Sequence, residues 1–128
     1  MTTNVRLTYM YRDGANYKKW NSVVFSNPER VGVASIKDRL QAAFLVDDAF
    51  VADQVRLPEV FLYSDGQIDR DDHCLHEFCS IEKTLDTAND THSRSILAFV
   101  LEVEAVAKIG WCGFTPGAEA TDRFALTF

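Results

Sequence analysis

The chain is poor in the features that mark membranes, secretion and linkers. Its longest unbroken apolar run, Ile96 to Leu101, is six residues, against the ~20 needed to span a bilayer. The opening Met1-Thr2-Thr3-Asn4 has neither the basic nor the apolar region of a secretory signal, so none is expected. Cysteine is scarce and odd in number (Cys74, Cys79, Cys112), which favours reduced thiols in a cytosol over a disulfide framework. No Pro/Gly/Ser-rich stretch marks a linker, and no period of 20–50 residues repeats. Positive charge is also short: 13 Lys and Arg face 19 Asp and Glu, a net of −6. Duplex nucleic acid needs a basic footprint that this balance does not supply; a small anion needs only a few local cations. What is present is ordinary: 128 residues, 47% hydrophobic and 25% charged, the composition of one globular domain with its own core.

Val5, Leu7, Tyr9 and Tyr11 alternate with Arg6, Thr8, Met10 and Arg12, the period of a half-buried strand. Asp13-Gly14-Ala15-Asn16 follows as a turn. Tyr17 to Phe25, rich in aromatic and β-branched residues, reads as the returning strand of a β-hairpin. Ser35 three residues ahead of Asp38 suggests an N-cap, and Ile36, Leu40, Ala43 and Phe44 fall on one helical face, so a helix is expected over 36–46, fraying on through Asp47-Asp48. Glu59 to Tyr63 reads as a short strand, Ser64 to Gln67 as a hairpin turn, the acidic 68–73 as loop or solvated strand, and Leu75 to Ile81 as another strand. Residues 93–109 fit a helical stripe, although Val100 to Glu104 locally fits a strand; length and the terminal Gly110 favour helix. The tail reads as strand over 111–114 and 123–128, broken by a Pro116-Gly117 turn. The expected architecture is α+β: a small antiparallel sheet with two α-helices, in a single domain spanning 1–128.

Catalytic signatures are missing: no Gly-x-Ser-x-Gly, no phosphate-cradling glycine loop, no His-Glu-x-x-His. The densest chemistry is Asp71-Asp72-His73-Cys74-Leu75-His76-Glu77-Phe78-Cys79. Two His and two Cys are zinc-ligand types, but all crowd one segment. On a strand, His73 and Cys79 face away from Cys74 and His76. A strand with one wet and one buried face, its cysteines packing as small apolar residues, explains the segment as well. The aspartates at 69, 71 and 72 lack the spacing and glycine of a calcium loop. A binding pattern stands out more: Tyr11, Arg12, Asp13, Asn16, Tyr17, Lys18, Lys19 and Trp20 gather around the first turn. Rings can stack a base, and Arg or Lys can meet a phosphate. The alternative is a hairpin whose aromatics are core and whose charges are solvated.

Tyr11-Arg12-Asp13-Gly14-Ala15-Asn16-Tyr17-Lys18, with Trp20, Val24-Phe25 and Asn27-Pro28 behind it, resembles the opening of the phage anti-Thoeris signal-sponge family, in its first described type. The Leu57-Pro58 step and His76-Glu77-Phe78 are similar to later landmarks of that family. The resemblance is tightest over residues 7–28, weaker to residue 82, and is not followed through the tail. It implies a small α+β protein that forms homo-oligomers in the cytoplasm of an infected bacterial host. It also implies trapping, without cleavage, of a cyclic ADP-ribose isomer made by a TIR-domain enzyme, and in some members cyclic oligonucleotides. No enzymatic activity, cofactor or metal is expected. The residues expected to serve ligand binding are Arg12, Asn16, Tyr17, Lys18, Trp20, Arg56, His76, Phe78 and Arg123. Two competing expectations are a small metal-dependent nucleotide-processing enzyme built on His73, Cys74, His76 and Cys79, and an inhibitor that covers a host protein with an apolar patch.

Overall fold

A computed structural model describes residues 3–61, 73–113 and 126–127. It is a single small α+β domain built on a four-stranded antiparallel sheet and two helices. The hairpin forms where the alternation places it. Strand β1 (Asn4–Arg12) pairs with β2 (Lys18–Phe25) from Val5↔Phe25 to Arg12↔Lys18. Asp13 closes the turn, its Oδ1 accepting the N–H groups of Ala15 and Tyr17 at 3.0 and 2.9 Å. Asn16 takes φ 71°, a left-handed conformation that asparagine tolerates. Strand β4 (His76–Thr84) runs along the other side of β1, and the two-residue β3 (Ala49–Phe50) pairs with β4, giving the order β2-β1-β4-β3.

Helix α1 spans Val33–Ala43, three residues earlier at each end than the expected 36–46. Ser35 is not its cap: Gly32 holds that position, without a side-chain cap bond. The start is fixed upstream, where the Asn27 amide exchanges two hydrogen bonds with the Val31 backbone and closes the 27–31 loop. The end is fixed by packing. Phe44 leaves helical geometry to stack on Phe50, with ring centroids 4.9 Å apart, and the Trp111 indole N–H donates to the freed Ala43 carbonyl at 2.9 Å. A short 3-10 turn over Val46–Asp48 follows, in place of a fraying helical end. Residues 59–61 belong to no strand; the Val60 N–H donates to the His76 ring rather than to a ladder. The remainder of that expected strand, the 64–67 turn and most of 68–73 lie outside the described residues.

The stretch expected over 93–109 is helix α2 (Ile96–Ile109), capped by the Ser95 hydroxyl accepting from Ala98 N–H at 3.1 Å. Strands β5 (Cys112–Gly113) and β6 (Leu126–Thr127) form a separate two-stranded ribbon, and the Pro116-Gly117 turn lies outside the described residues. One core unites the elements: Val5, Leu7, Tyr9, Phe25 and Phe50 from the sheet meet Ile36 and Leu40 of α1 and Ile96, Phe99 and Val103 of α2. Both helices thus cover one face of the sheet. Arg6, Thr8, Met10 and Arg12 of β1, with Lys18 and Trp20 of β2, carry the other.

Candidate functional site

That second face carries three of the expected ligand residues, Arg12, Lys18 and Trp20. Cross-strand partners point the same way, so Arg12↔Lys18 and Met10↔Trp20 form two adjacent rows, and Glu77 of β4 extends the second, opposite Met10. A bulge interrupts β4: Thr8 pairs with Ser80 and Tyr9 with Phe78, which leaves Cys79 as the extra residue. Bulges re-aim side chains. Here the one at Cys79 lets Phe78 lie buried while also lining the open side.

The result is a groove of about 800 Å³. Met10, Arg12, Leu75 and Glu77 line it, Phe78 and Cys79 close one side, and the 3-10 turn supplies Val46, Asp47 and Asp48 at its lip. This is the volume range of small-molecule sites. Asp47 and Asp48 stand at φ 61° and 57°, both in the left-handed region that Asp visits more readily than most residues. The Arg12 guanidinium lies 3.3 Å from the Glu77 carboxylate. Burial and the Glu77 charge push the Cys79 thiol up, against smaller opposing effects of Arg12 and Trp20. It therefore stays protonated and is a poor nucleophile.

Arg12 and Phe78 line the groove, and Lys18 and Trp20 sit on the same face. Asn16 and Tyr17 are exposed at the adjoining turn; Tyr17 is 70% exposed and Trp20 56%. These two rings are free of the core, whereas Tyr9 and Tyr11 belong to it. The other expected residues lie apart. Arg56 pairs with Glu102 of α2 at 2.5 Å, on the helical side. His76 is wholly buried, its ring within 6.2 Å of the rings of Tyr9, Tyr11, Phe50 and Phe61. Arg123 lies outside the described residues.

His76 and His73 have structural partners. Nε2 of His76 accepts the Val60 N–H at 3.0 Å, and burial, with help from the nearby His73, lowers its pKa to about 3. The His73 ring bridges two segments: Nδ1 accepts from Leu75 N–H at 3.0 Å and Nε2 meets the Arg12 carbonyl at 2.5 Å. Those contacts place the His73 hydrogen on Nε2 and tie the end of β1 to the approach to β4. Cys74 is buried and Cys79 exposed, the alternation expected of a strand with one wet face. Among the described residues, no three His, Cys, Asp or Glu side chains converge where they would hold a metal ion.

The sequence reading missed the lip. Asp47 and Asp48 passed as a fraying helix end; their only local signal was a pair of acids after the apolar stripe ran out. It also missed Arg94, whose buried guanidinium donates to the Val55 and Arg56 carbonyls and to Asp90. Asp90 four residues ahead of Arg94 was the available clue. No helix among the described residues is long and apolar enough to cross a membrane. Comparison with family models, with curated proteins and with solved structures finds no match for this chain.

Proposed function

We propose that this protein sequesters a small cyclic nucleotide signal, a cyclic ADP-ribose isomer made by a TIR-domain enzyme, and holds it without cleaving it. Its setting is the cytoplasm of an infected bacterial host, where removing the signal keeps a defence effector inactive. It works as a homo-oligomer, and cyclic oligonucleotides are a second candidate class of ligand. The observation that carries this reading is the groove: about 800 Å³, lined by Arg12 and by apolar Met10 and Leu75, with the largely buried Phe78 ring reaching it from the core side. Lys18, Trp20 and Tyr17 adjoin it through the hairpin. A purine needs a ring face and a pyrophosphate needs cations, and both kinds of group meet here. The protonated Cys79 thiol and the occupied His73 ring favour retention over turnover. The resemblance of residues 7–28 to the sponge family supplies the identity of the signal.

The test is recovery. The protein is incubated with the TIR-derived cyclic nucleotide and denatured by heat, and the supernatant is assayed by mass spectrometry and by effector activation. Intact, active signal is expected. Time-dependent loss with a linear product would replace this reading with an enzymatic one, and no retention of nucleotide would favour a protein-binding inhibitor.

A further inference from the structure

The groove is electrically divided. Three carboxylates (Asp47, Asp48, Glu77) and one guanidinium (Arg12) line it, a balance that should repel an anion. The sheet order resolves the difficulty. Reading across β2-β1-β4-β3, the outer face carries Lys18, then Arg12, then Glu77, and finally Asp47 and Asp48 just ahead of β3. Cations stand at one side and carboxylates at the other. Two strand spacings, about 10 Å, separate Arg12 from the acidic lip, which is the scale of a nucleoside phosphate. Glu77, midway, already faces Arg12. Asp48 has one oxygen engaged by Gln41 Nε2 at 3.0 Å, which leaves its other oxygen and Asp47 as hydrogen-bond acceptors at the lip.

We infer that the acidic lip is a ribose-hydroxyl reader, so that the groove takes nucleotides whose sugar hydroxyls are free and rejects those carrying a phosphate there, which ranks the cyclic ADP-ribose class above cyclic oligonucleotides. The inference rests on the sequestration reading and adds its selectivity. Carboxylates accept hydrogen bonds from vicinal hydroxyls, the usual way an acidic side chain recognises a ribose. The same carboxylates would face a sugar phosphate as like charges with little water between them. The ligand then lies in one orientation: phosphates toward Arg12 and Lys18, base over Met10 and the exposed Trp20 ring beside it, ribose at Asp47 and Asp48.

The experiment compares the cyclic ADP-ribose isomer with its adenosine 2′-phosphate derivative by calorimetry, on the parent protein and on the Asp47→Asn/Asp48→Asn double variant. Asparagine keeps an acceptor for Gln41 and tolerates positive φ, so the turn is retained; an unchanged melting temperature verifies this. The parent should prefer the unphosphorylated ligand at least about tenfold, and the double variant should narrow that ratio to within about threefold, chiefly by binding the phosphorylated ligand better. Equal binding of both ligands by the parent, or an unchanged preference in the variant, overturns the inference and leaves sequestration standing. Failure of both ligands to bind overturns the sequestration reading and the inference together.

Discussion

His76 has its ring surrounded by Tyr9, Tyr11, Phe50 and Phe61, and this turns a group that normally titrates near neutrality into one held uncharged. Accepting the Val60 N–H at Nε2 puts its hydrogen on Nδ1, which has no partner among the described residues. Because the folded pKa is depressed from 6.5 to about 3, the neutral ring supports the fold fully above about pH 6.5, and that support is lost as pH falls toward 3. Linkage puts the loss on the order of 4–5 kcal/mol across that window. Urea unfolding measured from pH 7.5 to 3.5 should show it, and His76→Phe should flatten that part of the profile. Tyr17 presents the opposite case. With its ring 70% exposed, Tyr17→Ala should leave the melting temperature unchanged, so any lost affinity reports direct contact and should amount to about 1–3 kcal/mol for a stacked base. Arg12→Ala should weaken nucleotide binding by about 1.5–3 kcal/mol, read by the same calorimetry.

Between elements, Arg94 is the main polar tie. Its guanidinium lies 5.7 Å from the Phe25 ring centroid and 5.2 Å from that of Phe99. It binds the carbonyls of Val55 and Arg56, pairs with buried Asp90, and reaches Glu102 of α2 at 3.3 Å. Arg94→Leu should destabilise the protein by about 3–5 kcal/mol in urea titration, because the Asp90 carboxylate is left buried without its cation. Adding Asp90→Leu should recover part of that loss. A sequence shows Arg94 only as one charge in the polar stretch Asp90-Thr91-His92-Ser93-Arg94, since its burial depends on carbonyls 38 and 39 residues away. The hairpin was legible because each residue's facing follows from its immediate neighbours, and α2 because one apolar stripe runs its whole length. The limits of α1 were not: Asn27 at one end and Trp111 at the other set them, through contacts that no local window contains. The groove was half legible. Arg12, Lys18 and Trp20 share a face by simple alternation, whereas joining them to Asp47 and Asp48 requires the strand order.

For the whole molecule, sequestration predicts a change in thermal stability. A ligand that binds only the folded state adds about 2.7 kcal/mol at a concentration one hundred times its Kd. For a domain of this size that should raise the melting temperature by roughly 10 °C. Differential scanning fluorimetry with increasing cyclic nucleotide should show a rise that continues with the logarithm of ligand concentration. A flat response with the signal present would contradict tight binding. On the sequestration reading, the net charge of −6 opposes association with nucleic acid, while Arg12 and Lys18 offer local attraction to a small anion.

The bulge at Cys79 determines which kinds of genetic change this fold survives. His76 and Phe78, at even positions, point into the core, and so does Ile81, at an odd one; the single extra residue between them makes both parities compatible with one buried face. Replacing Cys79 alters an exposed side chain at the groove and leaves the core face intact. Removing it sets Phe78, Ser80 and Ile81 opposite Tyr9, Thr8 and Leu7 in unbroken alternation, with the core face kept, whereas removing Glu77 turns either His76 or Phe78 toward water. A one-codon deletion at Cys79 should therefore leave the sheet folded, while a one-codon deletion at Glu77 should cost as much as the loss of a core residue. A library of single deletions through 76–84, sorted for folded protein beside the matching substitutions at each position, would show Cys79 dispensable and Glu77 not.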